Sequence, residues 1–236
     1  MPHALNILSG GAAHGLVGSL AAKFKALTGL DIEGEFGPVG ALADKLRQGT
    51  PADIVIFTAA IVAKLAGENR VIAASVSDVG VVETALAVRS GDPLIKVSDA
   101  ATLRAALLAS DAIFVPDTKA STAGIHVAKV LHEIGIADDV ADRLQILSSG
   151  ATAMRGLAMS EAERPIGCTQ STEIISTPGV VLSGSLPRGY DLATIYTAAV
   201  TTGAARAREA QALIDLLISP DQQPLRTAAG FVKNAK

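Results

Sequence analysis

The stretch Leu5–Leu27, LNILSGGAAHGLVGSLAAKFKAL, constrains the fold more than any other part of the chain. A short apolar run (Leu5, Ile7, Leu8) breaks at Ser9-Gly10-Gly11 and resumes at helical spacing through Leu16, Leu20, Phe24 and Leu27. This pattern predicts a strand, a glycine turn and an amphipathic helix in immediate succession. The glycines let the backbone approach a ligand, and the helix start presents unpaired N–H groups at a positive dipole end. An anion suits such a turn. No Gly-Lys-Ser/Thr follows, so this is not a P-loop, and the spacing is not GxGxxG.

The same arrangement repeats twice. Asp31–Phe36 alternates apolar with small or polar residues, and Gly37-Pro38-Val39-Gly40 turns into a helix carrying Leu42 and Leu46. Thr50-Pro51-Ala52-Asp53 is loop chemistry before a buried strand, Ile54–Phe57, and Thr58 opens a helix over Ala59–Ala66. Three strand–helix units in a row predict parallel strands with right-handed crossovers. Between Val71 and Gly80 the pattern loosens. Strands are then expected at Thr84–Arg89, Ala112–Val115, Leu144–Leu147, Pro165–Thr169, Val180–Leu182 and Ala193–Val200. Helices are expected after Ser98 or Asp99, at Ala123–Ile134, after Ser148-Ser149-Gly150 and in the last part of the chain, where Ser219-Pro220 supplies a cap and a first-turn proline.

Composition excludes several classes of partner. A net charge of −3 without a basic cluster argues against a nucleic-acid surface. With no Trp, five Phe and two Tyr, the chain lacks the aromatic platforms that stack bases or sugar rings. One cysteine, Cys168, allows no internal disulfide, and its apolar strand makes it a small core residue. No apolar run is long enough to span a membrane. Ala4–Ala22 lacks Lys and Arg, but no positive segment precedes it, so it reads as mature fold. The expected location is cytoplasmic if Met1 is the true start and periplasmic if a signal peptide has been removed.

Polar groups converge where strands hand over to helices. Ser9-Gly10-Gly11-Ala12, Gly37-Pro38-Val39-Gly40, Thr58, Ser121-Thr122 and Ser148 to Thr152 all lie between a strand's end and the next helix's start. In open parallel sheets that edge holds the ligand. No G-x-S-x-G is present, and His126 and His132 are six apart, about 240° around a helix, so they cannot chelate one metal. No metal site and no cofactor are expected. His14 and His126 each stand just inside a helix that follows a ligand loop. A helix start disfavours imidazolium, leaving a neutral ring able to accept or donate a proton.

The order of the pieces resembles the molybdate-binding-protein family of substrate-binding proteins, which has the bilobal type II periplasmic-binding-protein fold. The resemblance covers nearly the whole chain. It is carried by the Ser-Gly-Gly helix start, TGLDIEGEFGPVGALADKLRQGTPADIVIFTA at Thr28–Ala59, and TAGIHVAKVLHEIGI at Thr122–Ile136. The Pro165-Ile166-Gly167 strand and ISPDQQPLRTAAGF at Ile218–Phe231 complete it. It implies an α/β fold of two lobes, with mostly parallel sheets flanked by helices and a ligand cleft between the lobes. Lobe 1 would hold residues 1–82 and 191–236, and lobe 2 residues 83–190. Oxyanion binders of the family place serine hydroxyls in the first and second loops and often a tyrosine after the Pro-Ile-Gly strand. Here those places carry Ala12 (or the shifted Ser9), Gly37-Pro38-Val39-Gly40 and Gln170.

Two readings follow. In the first, the protein binds a small organic anion, a carboxylate in preference to molybdate, through Ser9, Gly10, Gly11, Ala12, Pro38, Val39, Gly40, Thr58, Ser121, Thr122, Thr152 and Gln170. Its partner, if the protein is exported, would be the membrane component of an ABC transporter, with no nucleic acid and no membrane insertion. In the second, the same loops serve an isomerase or lyase of a small organic acid. His14 is then the first candidate base and His126 the second, with Ser9, Gly11 and Thr122 holding a carboxylate.

Overall fold

The computed structural model describes residues 4–232. The chain divides into two compact units, unit 1 from Met1–Val81 and Thr194–Lys236, and unit 2 from Val82–Ala193. The first unit opens with β1 (Ala4–Gly10), a 3-10 turn at Gly11–Ala13, α1 (His14–Thr28), β2 (Asp31–Gly37), α2 (Val39–Arg47), β3 (Ile54–Thr58) and α3 (Ala59–Gly67). β4 (Ser77–Arg89) carries the chain from unit 1 into unit 2. There follow α4 (Ala100–Ala109), β5 (Ala112–Pro116), α5 (Thr122–Glu133), β6 (Leu144–Leu147), α6 (Gly150–Ala158), β7 (Pro165–Gln170), α7 (Ser171–Ile175) and β8 (Val180–Ser185). β9 (Ala193–Val200) returns to unit 1, which closes with α8 (Ala207–Ile218) and α9 (Gln223–Ala228).

In unit 1 the strands lie in the order β2-β1-β3-β9. The first three are parallel, and β9 enters antiparallel to β3. β1 and β3 are buried along nearly their whole length, which is why they read as almost unbroken apolar runs. The α1 helix buries Leu16, Val17, Leu20 and Phe24 and ends at Gly29, whose φ of 75° is the left-handed conformation a helix C-terminus favours. Leu27, on the same spacing, is exposed in the final turn. α8 packs on α1 with Leu213, Ile214 and Leu217 buried.

Asp53, just before β3, is buried and accepts the N–H groups of Asn6 and Arg206, each at 2.9 Å. Its own N–H donates to the Asn6 carbonyl, and its carbonyl accepts from Thr201. The aspartate of the Gly-Thr-Pro-Ala-Asp block is therefore a staple joining β1, β3, the end of β9 and the start of α8. It lies at the N-terminal edge of β3, away from the strand-to-helix turns.

Unit 2 has the order β8-β4-β7-β5-β6. β5 runs parallel to β6 and β7, whereas β4 is antiparallel to β7 and β8. Both sheets are thus mixed, because the strands belonging to the two inter-unit passages run against the crossover strands. Alternation along β4 and β7 sorts the core onto two faces. Leu86, Ile166 and Cys168 pack with Leu103, Leu107, Val127 and Leu131 of α4 and α5. Ala85 and Ala87 pack on the other face with Ala153, Met154, Leu157 and Ile174 of α6 and α7. Burial pushes the Cys168 thiol up to about 12, so it stays protonated as a core group. Among the described residues, no helix is long and apolar enough to cross a membrane.

Candidate ligand-binding site

The parallel register of unit 1 brings three turns to one edge. Gly10 lies opposite Gly37, and Ser9 opposite both Phe36 and Ile56, so β1, β2 and β3 all deliver their helices at the same level. None of these helix starts has a side-chain cap: Gly10 before the 3-10 turn, Ala13 before α1, Pro38 before α2 and Thr58 before α3 make no capping bond. A helix start without a cap leaves first-turn N–H groups for another acceptor. Gly11, Pro38, Gly40 and Thr58 are half-buried along this rim, with Ala12 and Val39 buried behind it.

Two of the expected residues serve the fold instead. Ser9 is wholly buried and its Oγ donates to the Gly10 carbonyl at 3.0 Å, so its hydroxyl is not presented at the rim. The space a side chain would need at Gly10 is filled by Tyr196 and Val39, whose atoms would stand 2.7 and 2.8 Å from a Cβ at that position, so this glycine accommodates close packing. His14 is exposed as the first residue of α1, its ring edge-on to Phe36 with centroids 4.7 Å apart.

In unit 2 the ends of β5, β6 and β7 share an edge in the same way, since Phe114 pairs with both Gln145 and Gly167. α5 starts after Ser121 with no side-chain cap, and Ser121 and Thr122 are half-buried. Asp117 gathers the N–H groups of Lys119 and Ala120, which holds its carboxyl below the usual carboxylate range and shapes the turn. α5 sits close on the strand end: a Cβ at Gly124 would overlap the carbonyl oxygens of Asp117 and Pro116. By contrast α6 is capped internally. Ser149 Oγ accepts from the Thr152 N–H at 3.2 Å, and the two hydroxyls bond at 2.9 Å, so Thr152 is spent on its own helix. His126 Nε2 donates to the Tyr190 carbonyl at 2.7 Å, since a carbonyl oxygen only accepts. That nitrogen anchors the chain after β8 and is not free for proton transfer.

Comparison with known proteins identifies the architecture. The profile of the family described as bacterial extracellular solute-binding protein matches residues 5–232. The chain belongs to this family. The periplasmic molybdate-binding protein of Azotobacter vinelandii shares its fold, with a TM-score of 0.80 at 18% identity over 97% of this chain and 98% of that one. So does PEB3 of Campylobacter jejuni with L-phospholactate bound, with a TM-score of 0.69 at 16% identity over 98% of this chain and 100% of that one. In sequence the chain is similar to an aconitate isomerase of a Pseudomonas species, 24% identical over 92% of this chain and 83% of that protein.

Around Gln170, which the sequence singled out, the solute-binding protein carries polar groups that sequence reasoning missed. Gln170, at the end of β7, is buried, and neither its Nε2 nor its Oε1 has a hydrogen-bond partner among the described residues. The hydroxyls of Thr84, directly opposite it on β4, and of Thr172, two residues on, are buried and unpartnered too. Glu173 is buried beside them. Burial holds its carboxyl above the usual carboxylate range, while the Thr169 hydroxyl, at 2.6 Å, and the N–H groups of Gln170 and Ala151 pull it part of the way back. Gly150 leaves the room for it, because a Cβ there would overlap the Glu173 carboxylate. Glu173 lies three residues after the Gln170 cap of α7, a spacing that signals a capping role. Nothing in the sequence marks Thr84 or Thr172, since a threonine in a strand or first turn is ordinary. No group of three or more His, Cys, Asp or Glu among the described residues could hold a metal ion.

Proposed function

We propose that the protein binds a small organic anion, a carboxylate in place of molybdate. The candidate ligand residues of unit 1 are the Gly11-Ala12 turn, Pro38–Gly40 and Thr58, and those of unit 2 are Ser121, Thr122 and Gln170. Ser9, Gly10 and Thr152 shape the loops from within. The observation that carries the reading is the set of uncapped helix starts at the C-terminal edge of β1, β2 and β3. Such starts favour negative charge. The second loop meets a ligand with Pro38, Val39 and Gly40, which offer an apolar wall and no hydroxyl. A tetrahedral oxyanion enclosed there would lose donors worth about 1–3 kcal/mol each, whereas an organic acid has carbon to set against that wall. The likeness to a fold that holds L-phospholactate supports this choice. In this reading the protein works outside the cytoplasm, as its family's description has it, and hands its ligand to the membrane component of an ABC transporter.

A thermal-shift screen of mono-, di- and tricarboxylates against molybdate, tungstate and sulfate tests it. A ligand at 100 times its Kd stabilises by about 2.7 kcal/mol, a rise of roughly 5–10 °C for a chain of this size. The expected result is a shift with at least one carboxylate and none with molybdate. Nanomolar molybdate affinity by calorimetry overturns the reading.

A second reading is favoured by the similarity to an aconitate isomerase and by the exposed ring of His14 at the first position of α1. Here His14 moves the proton, while the helix starts hold the carboxylates and stabilise the enolate-like charge. Proton NMR of aconitate isomers incubated with the protein decides it. Turnover lost in His14→Gln with affinity unchanged supports the enzyme, and no turnover by the wild type leaves the binder standing.

A further inference from the structure

The carboxylate reading leaves open what else the ligand carries, and unit 2 speaks to that. Gln170 offers one group of each kind, an amide N–H that donates and a carbonyl oxygen that accepts, both shut off from solvent and unpartnered among the described residues. Along β7, Gln170 shares its sheet face with Cys168, and along β4, Thr84 shares its face with Leu86. Those residues pack against Val127 of α5, so the carboxamide lies on the side of the sheet that α5 covers. At the same edge α5 begins, with no side chain capping its first turn. On the other face the Glu173 carboxyl already takes the N–H groups of Ala151 and Gln170, one at the start of α6 and one at the start of α7.

We infer that the ligand is a hydroxycarboxylate, its carboxylate at the start of α5 and its hydroxyl paired with the Gln170 carboxamide. The inference rests on the carboxylate reading and narrows it. A carboxylate, phosphate or metal oxyanion that only accepts would satisfy Nε2 and leave Oε1 buried, unpaired and facing negative charge. A hydroxyl both donates and accepts, and so completes the carboxamide. The hydroxyls of Thr84 and Thr172 rotate to either role and do not discriminate. A site built around a polar pair rejects the analogue that lacks the matching group far more strongly than an apolar site rejects a methylene.

Calorimetry on the full chain with three matched pairs tests this: lactate and propionate, malate and succinate, citrate and tricarballylate. Each pair differs by one hydroxyl at constant carboxylate number. In the pair of the right size the hydroxy acid should bind about tenfold or more tightly. In Gln170→Leu that preference should collapse towards unity, with the deoxy acid's affinity retained, and Thr84→Val, which keeps the carboxamide, should retain the preference. Equal affinity within every pair, or preference for the deoxy acid, overturns the hydroxycarboxylate while the carboxylate reading stands. Binding of none of the six acids overturns both.

Discussion

Glu173 is a buried acid held by the Thr169 hydroxyl and by N–H groups at two helix starts. Its carboxyl is buried at the starts of two helices and is held above the usual carboxylate range by that burial. The folded chain therefore binds this proton more tightly than the unfolded chain does. The resulting stabilisation is fully present below the ordinary carboxylate range and is lost as the pH rises through the raised folded value. Glu173→Gln cannot ionise, so the melting temperature of the variant minus that of the wild type should increase between about pH 4 and pH 8. Taking the difference cancels Asp99, Asp111 and Asp117, whose lowered values make stability rise with pH in both proteins. A difference that stays flat would show that Glu173 titrates alike folded and unfolded. At this scale the sequence was legible where chemistry is local. Cys168 in its apolar strand and Gln170 at the end of β7 stand where the residues placed them, whereas the hydroxyl of Ser9 is turned back on the Gly10 carbonyl. Which way a hydroxyl turns depends on the packing around it, and residues distant in the chain set that packing.

At the scale of elements, α5 is the helix on which the proposed unit 2 site depends. It starts without a cap and lies so close to the end of β5 that only a glycine fits at 124. The obstructing atoms are backbone carbonyl oxygens of Pro116 and Asp117, which cannot rotate away as a side chain would. Gly124→Ala should therefore push α5 off the strand end and cost about 1–3 kcal/mol of stability. Carboxylate affinity should fall with it, because the first-turn N–H groups move. Urea denaturation and calorimetry on the same variant check both, and unchanged affinity in a destabilised protein would remove α5 from the ligand site. Periodicity found α1 and named its apolar face. It could not say where the covering element stops, which is why Leu27 keeps the spacing of Leu16, Leu20 and Phe24 and still faces solvent.

For the whole molecule, the order of segments has a consequence that no single element shows. Unit 2 is one continuous stretch whose two apolar clusters draw only on its own residues. Unit 1 is split, and its first segment lacks β9, which pairs with β3 from Ile54–Val200 to Thr58–Tyr196, and α8, which packs on α1. A fragment of residues 82–193 should therefore melt cooperatively by circular dichroism, and a fragment of residues 1–81 should not until residues 194–236 are added. A cooperative melt of the first segment alone would refute this. The sequence by itself determined the α/β class, the run of strand–turn–helix units and the loops at strand ends, because periodicity, glycine turns and helix caps act within a few residues of one another. Only the tertiary structure decided that Asp53 is a staple, that His126 is tied to the Tyr190 carbonyl, and that Gln170, Thr84 and Thr172 are buried together without partners. Those facts depend on which strands lie side by side and in what register, and both are set by contacts between residues far apart in the chain.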